Sequence, residues 1–270
     1  MNFIACRKCA GKGIGGKTTG FIYDKETNIS KECACHIQYR EQNSLTERLR
    51  RSGVGNESLV LDYDIDRDYV GEKSKQTIAK IKFFLKKFKE KDPRYHHVML
   101  YIYGANGTQK TTVAKYITRE ILATVKDEEN KFQKTYYRAT FISMNDLIKQ
   151  LTQMNNNDDE ANQTDLYKRI LASDVLVVDE CFDKEKVTIY KSGYQIPYLD
   201  SFLRKWMSDA TKSIIFVSNV EPSEIEKNGY SHSIQDFVER QILIDKSTFQ
   251  LEDNYIENMD GVTSDLFSGF

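Results

Sequence analysis

Hydrophobic positions along this chain follow two rhythms. Short apolar runs, Val98–Tyr103, Val175–Val178 and Ile214–Val217, are rich in large and β-branched residues and read as buried strands, and Tyr136–Ser143 reads as a further strand. Elsewhere apolar residues recur at helical spacing. Ile78, Ile81, Phe84, Leu85 and Phe88 mark one face of a helix over about 75–90, with lysines on the other face. Similar patterning predicts helices from Thr111 to about Val125, from Asp146 to Met154, across Leu199, Phe202, Leu203 and Trp206, and from Ser233 to Leu243. Strands alternating with helices predict an α/β fold: a parallel sheet flanked by helices.

The first fifty residues have a different texture. Residues 18–24 and 29–33 look like two short strands joined by Lys25-Glu26-Thr27-Asn28, and 37–51 is charged and periodic, with Leu45 and Leu49 one turn apart. Ser52-Gly53-Val54-Gly55-Asn56 stops that helix and marks a boundary. The organisation expected is a small domain over 1–52, a linker over 53–74, the α/β domain over 75–250 and an acidic tail over 251–270. The tail holds Glu252, Asp253, Glu257, Asp260 and Asp265 with no basic residue, and reads as a peptide with an apolar hook for a partner. Residues 182–197 form a long connection in which Lys184, Lys186 and Lys191 interleave with Tyr190 and Tyr194; such a stretch either tracks single-stranded nucleic acid or is a surface insertion.

Composition narrows the picture. A net charge of −1 over 270 residues removes any global basic field, so nucleic-acid binding would have to come from local patches. Residues 1–52 supply one candidate, with ten Lys and Arg against five Asp and Glu. No apolar run approaches the ~18–20 residues that span a bilayer, and MNFIACRKC lacks the apolar core of a signal peptide, so a soluble, cytoplasmic protein without membrane contact is expected. Four of the five cysteines lie in the first 35 residues, which in a reducing compartment favours a metal over disulfides. Cys6-x-x-Cys9 and Cys33-x-Cys35, brought together by a hairpin, would complete a tetrahedral zinc site, with His36 able to replace Cys35.

The chemistry centres on Val98 to Thr112. A buried strand, then Gly104-Ala105-Asn106-Gly107-Thr108-Gln109-Lys110-Thr111-Thr112, then a helix is the phosphate-loop arrangement. Unpaired backbone N–H groups at the helix N-terminus attract an anion, Lys110 supplies charge to the β- and γ-phosphates of a nucleotide, and Thr111 supplies a hydroxyl to Mg²⁺. Gln109 stands where the usual pattern has glycine; it can take the helical conformation beginning there but carries a side chain glycine lacks. About 70 residues later, Asp179 and Glu180 end a buried strand, one suited to hold Mg²⁺ and the next to polarise the attacking water. Asn219 ends a further strand and could orient that water or simply make a turn. Arg240 lies in the last helix, either as a surface residue or as a finger reaching a neighbouring subunit's γ-phosphate.

Phosphate loop, Asp-Glu strand, Ser-Asn strand and late arginine, in that order, resemble an AAA+ ATPase core. With the cysteine pairs, Ile102-Tyr103-Gly104, Val177-Val178-Asp179-Glu180 and Phe216-Val217-Ser218-Asn219 resemble the bacterial and phage replicative helicase loaders of the DnaC/DnaI type. By that resemblance Lys110 and Thr111 are Walker A residues, Asp179 and Glu180 Walker B, Asn219 sensor 1 and Arg240 the arginine finger. The resemblance implies an ATPase using ATP, Mg²⁺ and Zn²⁺, a helicase-binding amino-terminal domain, a hexameric replicative DNA helicase and single-stranded DNA as partners, and ATP-dependent homo-oligomers. Only about 30 residues follow Arg240, too few for the helical lid of many AAA+ motors, which loaders similarly lack. The rival readings are an IstB-like transposition regulator and a zinc adaptor that binds nucleotide without hydrolysing it.

Overall fold

The structure, a computed structural model, describes residues 5–13, 20–69, 71, 73–130, 133–155, 164–184, 195–245 and 247–252. The chain divides into two units, Met1–Arg50 and Arg51–Phe270. In the first, strands β1 (Phe21–Asp24) and β2 (Ile29–Glu32) pair antiparallel, with Phe21 opposite Glu32. Asp24 shapes the turn between them by accepting the backbone N–H groups of Glu26 (3.0 Å) and Thr27 (3.4 Å), and Asn28 takes the left-handed conformation at φ 55°. Helix α1 (Ala34–Ser52) starts three residues earlier than its periodicity suggests. The carbonyl of Cys33 accepts from His36 and Ile37 (2.9 and 3.1 Å), so Cys35 and His36 stand in the first helical turn.

The second unit contains α2 (Glu57–Asp62), α3 (Ile65–Asp68), α4 (Lys75–Lys89), β3 (Met99–Gly104), α5 (Lys110–Ala123), β4 (Val125–Asn130), β5 (Gln133–Tyr136), β6 (Ala139–Ser143), α6 (Met144–Asn155), α7 (Asp165–Ala172), β7 (Val175–Cys181), α8 (Gln195–Ser208), β8 (Ser213–Ser218), α9 (His232–Asp245) and β9 (Thr248–Leu251). Five parallel strands form one sheet in the order β6-β7-β8-β3-β9. The chain leaves β3 for the far edge at β6 and returns strand by strand until β8 pairs with β3. The carboxyl ends of β3, β7 and β8 therefore face one crevice at a switch in strand order, where open α/β sheets bind ligands. Met99, Tyr101, Leu176, Val178, Ile214 and Phe216 form the core with Leu199, Leu203 and Trp206 of α8 and Ile234 and Val238 of α9. Trp206 satisfies its buried Nε1–H on the Ser213 carbonyl at 3.0 Å.

Several elements depart from their sequence patterns. The polar stretch after α5 is an antiparallel hairpin, β4–β5, and the expected strand 136–143 is divided, Tyr136 closing β5 and Ala139 opening β6. Asp174 enforces that break by accepting the Arg138 N–H at 2.8 Å. Helix α7, capped by the Thr164 hydroxyl on the Tyr167 N–H (3.1 Å), lacked a pattern long enough to announce itself. The stretch 53–74 carries two short helices, and Arg119 of α5 donates to the carbonyls of Val60 (2.9 Å), Leu61 (3.2 Å) and Tyr63 (2.6 Å). Strand β9 extends through Leu251, with Phe249 and Leu251 buried and Thr248 and Gln250 exposed. The tail from 253, residues 156–163 and residues 185–194 of the connection at 182–197 lie outside the described residues. Among the described residues, no helix is long and apolar enough to cross a membrane.

Candidate functional site

Strand β3 delivers the chain at Gly104 into a loop that can be built only around glycine. Gly104 has φ 156°, and a Cβ there would lie 2.0 Å from the Leu251 carbonyl oxygen of the neighbouring strand. Gly107 also sits at positive φ, 82°. Thr108, buried, donates its hydroxyl to the Ala105 carbonyl at 3.0 Å and so closes the turn from within. Gln109 then sits at φ 59°, ψ 21° as the N-cap of α5. It does not enter the right-handed helical conformation expected of it; the position asks for a left-handed residue, which disfavours any side chain by about 1–2 kcal/mol.

Lys110 is the first residue of α5, and its side chain turns back into the loop. Nζ donates to the Ala105 carbonyl at 2.5 Å and lies 3.4 Å from the Thr108 hydroxyl. Burial lowers its pKa to about 8, opposed by the charge of Asp179. The Thr111 hydroxyl hydrogen-bonds to Asp179, whose carboxyl group is pushed up by burial and held down in part by this bond and by the Glu180 N–H at 2.8 Å.

Asp179 and Glu180 reach this point because β7 is irregular at its end. The register with β8 shifts between Val178, opposite Phe216, and Cys181, opposite Ser218, so β7 holds one extra residue there. This bulge puts Glu180 at φ 56° and exposes it, while Asp179 beside it stays buried. Phe182 (φ 59°) anchors the far side, stacked on Tyr101 and packed against Phe216 and Tyr230. The Ser218 hydroxyl completes the join by donating to the Cys181 carbonyl at 2.7 Å. An apolar run ending in Asp-Glu carries no signal for such a bulge.

One cleft gathers Asn106, Gly107, Gln109, Lys110, Thr111, Asp179, Glu180 and Asn219. Three of the remaining candidates have other places. Gly104 and Thr108 shape the loop from beneath, whereas Thr112 faces a second cavity of about 490 Å³ with Leu59, Val60, Tyr63, Lys115 and Tyr116. Tyr63 links the two spaces: its hydroxyl is 3.4 Å from Gln109 Oε1, and its ring meets Tyr116 edge-on. The volume suits a nucleoside-sized group, and no sequence signal marked Tyr63 or Arg119, which ties 60–63 to α5. Arg240 is not among the cleft residues; its exposed guanidinium pairs with Asp236 one turn earlier on α9, at 2.8 Å.

In the first unit, Cys6, Cys9, Cys33 and Cys35 converge with all four Sγ atoms within 4.8 Å of one another. The separations 3.9 Å (Cys6–Cys9), 3.7 Å (Cys6–Cys33) and 3.4 Å (Cys9–Cys35) bracket the S···S edge of about 3.8 Å that Zn–S bonds of about 2.3 Å require. Backbone N–H groups of Lys8 and Cys9 lower Cys6 to about 6, whereas burial pushes Cys9 up to about 12, so four thiolates here call for a cation. The donor set fits zinc. His36 takes no place in the cluster: its Nδ1 lies 2.7 Å from Glu32 Oε1, and its ring fills the space a Cβ on Gly20 would need.

Neither a protein-family model nor a curated protein matches the sequence. Solved structures do match. A DNA replication initiation factor is 17% identical over 76% of this chain and 54% of its own, with a TM-score of 0.50. Domain III of the replication initiation protein DnaA from Thermotoga maritima is 17% identical over 71% of this chain and 67% of its own, with a TM-score of 0.48. DnaI is 19% identical over 77% of this chain and 92% of its own, with a TM-score of 0.46. The chain thus spans about half the length of the first of these. Identities this low speak for the fold alone, and that fold is the α/β core expected: a five-stranded parallel sheet flanked by helices.

Proposed function

We propose that this chain is an ATPase that loads a hexameric replicative DNA helicase onto single-stranded DNA during replication initiation. The observation carrying the ATPase part is the single cleft that joins Lys110, Thr111, Asp179, Glu180 and Asn219 from three strand ends. The N–H groups at the start of α5 and the Lys110 ammonium would hold the triphosphate, and Thr111 and Asp179, both hard oxygen donors, would hold Mg²⁺. Bound ATP supplies an activated phosphoanhydride. Glu180, exposed on the bulge, would accept the proton of the attacking water, and Asn219 would orient that water. The loader part rests on the order of motifs and on the cysteine cluster, which an IstB-like regulator ordinarily lacks; the 1–52 segment would bind the helicase, with zinc holding it folded.

Glu180→Gln tests the motor: turnover should fall by about 10²-fold or more with ATP affinity retained. Unchanged turnover would leave a nucleotide-binding adaptor, the reading that the strained Gln109 favours. Capture of a hexameric helicase from the source organism through 1–52, with and without ATP, tests the loader; capture of a transposase in its place would turn the assignment to the transposition regulator.

A further inference from the structure

Strand β9 is the edge of the sheet, and between it and α4 runs an open groove. Phe83, Phe84, Tyr95 and Phe249 line it, with Lys80 and Arg94 at the rim. Phe83 is 52% exposed, its ring edge-on to Tyr95 with centroids 6.2 Å apart and Lys87 Nζ 5.7 Å from its centre. The surrounding helix is strongly basic, with seven lysines against one glutamate over 75–91. Four of those lysines and Arg94 are already paired, Lys82 with Asp66, Lys89 with Glu120, Lys86 and Lys87 with Glu90, and Arg94 with Asp92, which leaves Lys80 at the groove without an ion pair among the described residues. An aromatic groove beside an unpaired lysine suits an apolar segment that carries carboxylates.

The chain supplies one at this spot. Where β9 ends, the Thr77 hydroxyl donates to the Gln250 carbonyl (2.9 Å) and the Glu252 N–H donates to the Ser74 hydroxyl (3.0 Å). Residue 252 therefore leaves the sheet against the first turn of α4, the helix that bears the groove. From Thr77 to Phe83 along α4 is about 9 Å, and the five residues from Gln250 to Tyr255 span up to about 17 Å when extended. Residues 252–270 carry five carboxylates and no basic side chain.

We propose that residues 253–270 turn back along α4 and dock in this groove of their own chain, with Tyr255 and Ile256 against Phe83 and Tyr95 and a carboxylate of the segment facing Lys80. Tethering favours this occupant over any free partner, because a short tether holds its ligand at millimolar effective concentration. Docking would also secure β9, whose Leu251 carbonyl lies against Gly104 of the phosphate loop. The test places a benzoylphenylalanine photo-crosslinker at Tyr255 in the full chain and maps the adducts by mass spectrometry. Cross-links within the chain to residues 79–95 are expected, with the yield falling about two- to fivefold in Lys80→Glu, the range of one exposed charge pair, and further in Phe83→Ser. Lys80 is exposed, so that variant keeps its fold whatever Phe83→Ser does. Adducts elsewhere in the chain, adducts to a second copy, or a yield indifferent to Lys80→Glu would overturn the proposal.

Discussion

Lys110 is held in the cleft at a cost to stability. The residue is 8% exposed and its pKa is lowered to about 8, so near neutrality the fold holds a charge it would rather shed. Since the unfolded chain binds that proton up to about 10.5, the penalty is complete below pH 8 and fades as pH rises through 8 to 10.5. Lys110→Met should therefore raise stability by about 1–2 kcal/mol at pH 7, allowing for solvent screening. The gain should shrink toward pH 10 in denaturant titrations, while ATP affinity is lost; tight ATP binding by this variant would refute the assignment of the loop. The identities of Lys110, Thr111, Asp179 and Glu180 were legible from residue type and spacing. The left-handed backbone at Gln109, the bulge under Glu180 and the Tyr63 hydroxyl beside Gln109 were not, since each depends on chain that packs from elsewhere.

At the scale of elements, the strands buried on both faces were the clearest, and the short edge strand was the hardest. Of the four residues of β9, 248–250 read as the unassigned end of the α/β domain and Leu251 as the start of the tail, because a strand this short has no periodicity to speak of and its pairing with β3 is a long-range contact. That contact has a sharp consequence. Gly104→Ala puts a methyl group 2.0 Å from the Leu251 oxygen, so either β9 shifts or the loop does. A loss of more than about 2 kcal/mol is expected, together with faster amide exchange at 248–251; wild-type exchange there would show β9 to be unimportant to the loop. The cysteine module makes a second prediction. Metal analysis should find about one zinc per chain, lost when Cys6 and Cys33 are both replaced by serine, and zinc retained by that double variant would exclude the four-thiolate site.

For the whole molecule the question is what lies opposite the cleft. Arg240 stands outside its own chain's site, exposed and paired with Asp236, as a finger acting between subunits would. Arg240→Ala should keep ATP affinity and lose turnover, and so should Glu180→Gln. Mixed together, the two inactive variants should recover activity, because some interfaces then join an intact Glu180 to an intact Arg240; no recovery would place Arg240 outside the chemistry. The sequence by itself determined the α/β class and singled out the glycine-bearing loop, the paired carboxylates and the cysteine set as candidates, because each is written in local periodicity or in residue types at short spacing. Only the tertiary structure decided that β8 lies between β3 and β7, that Thr112 faces a different cavity from Thr111, that His36 stands apart from the four thiols, and that β9 closes beneath the loop. All but one of those outcomes rest on pairings between residues tens to more than a hundred positions apart, set by packing and hydrogen bonding in three dimensions; His36 is the exception, held by Glu32 four residues away, a choice between two partners that residue types alone leave open.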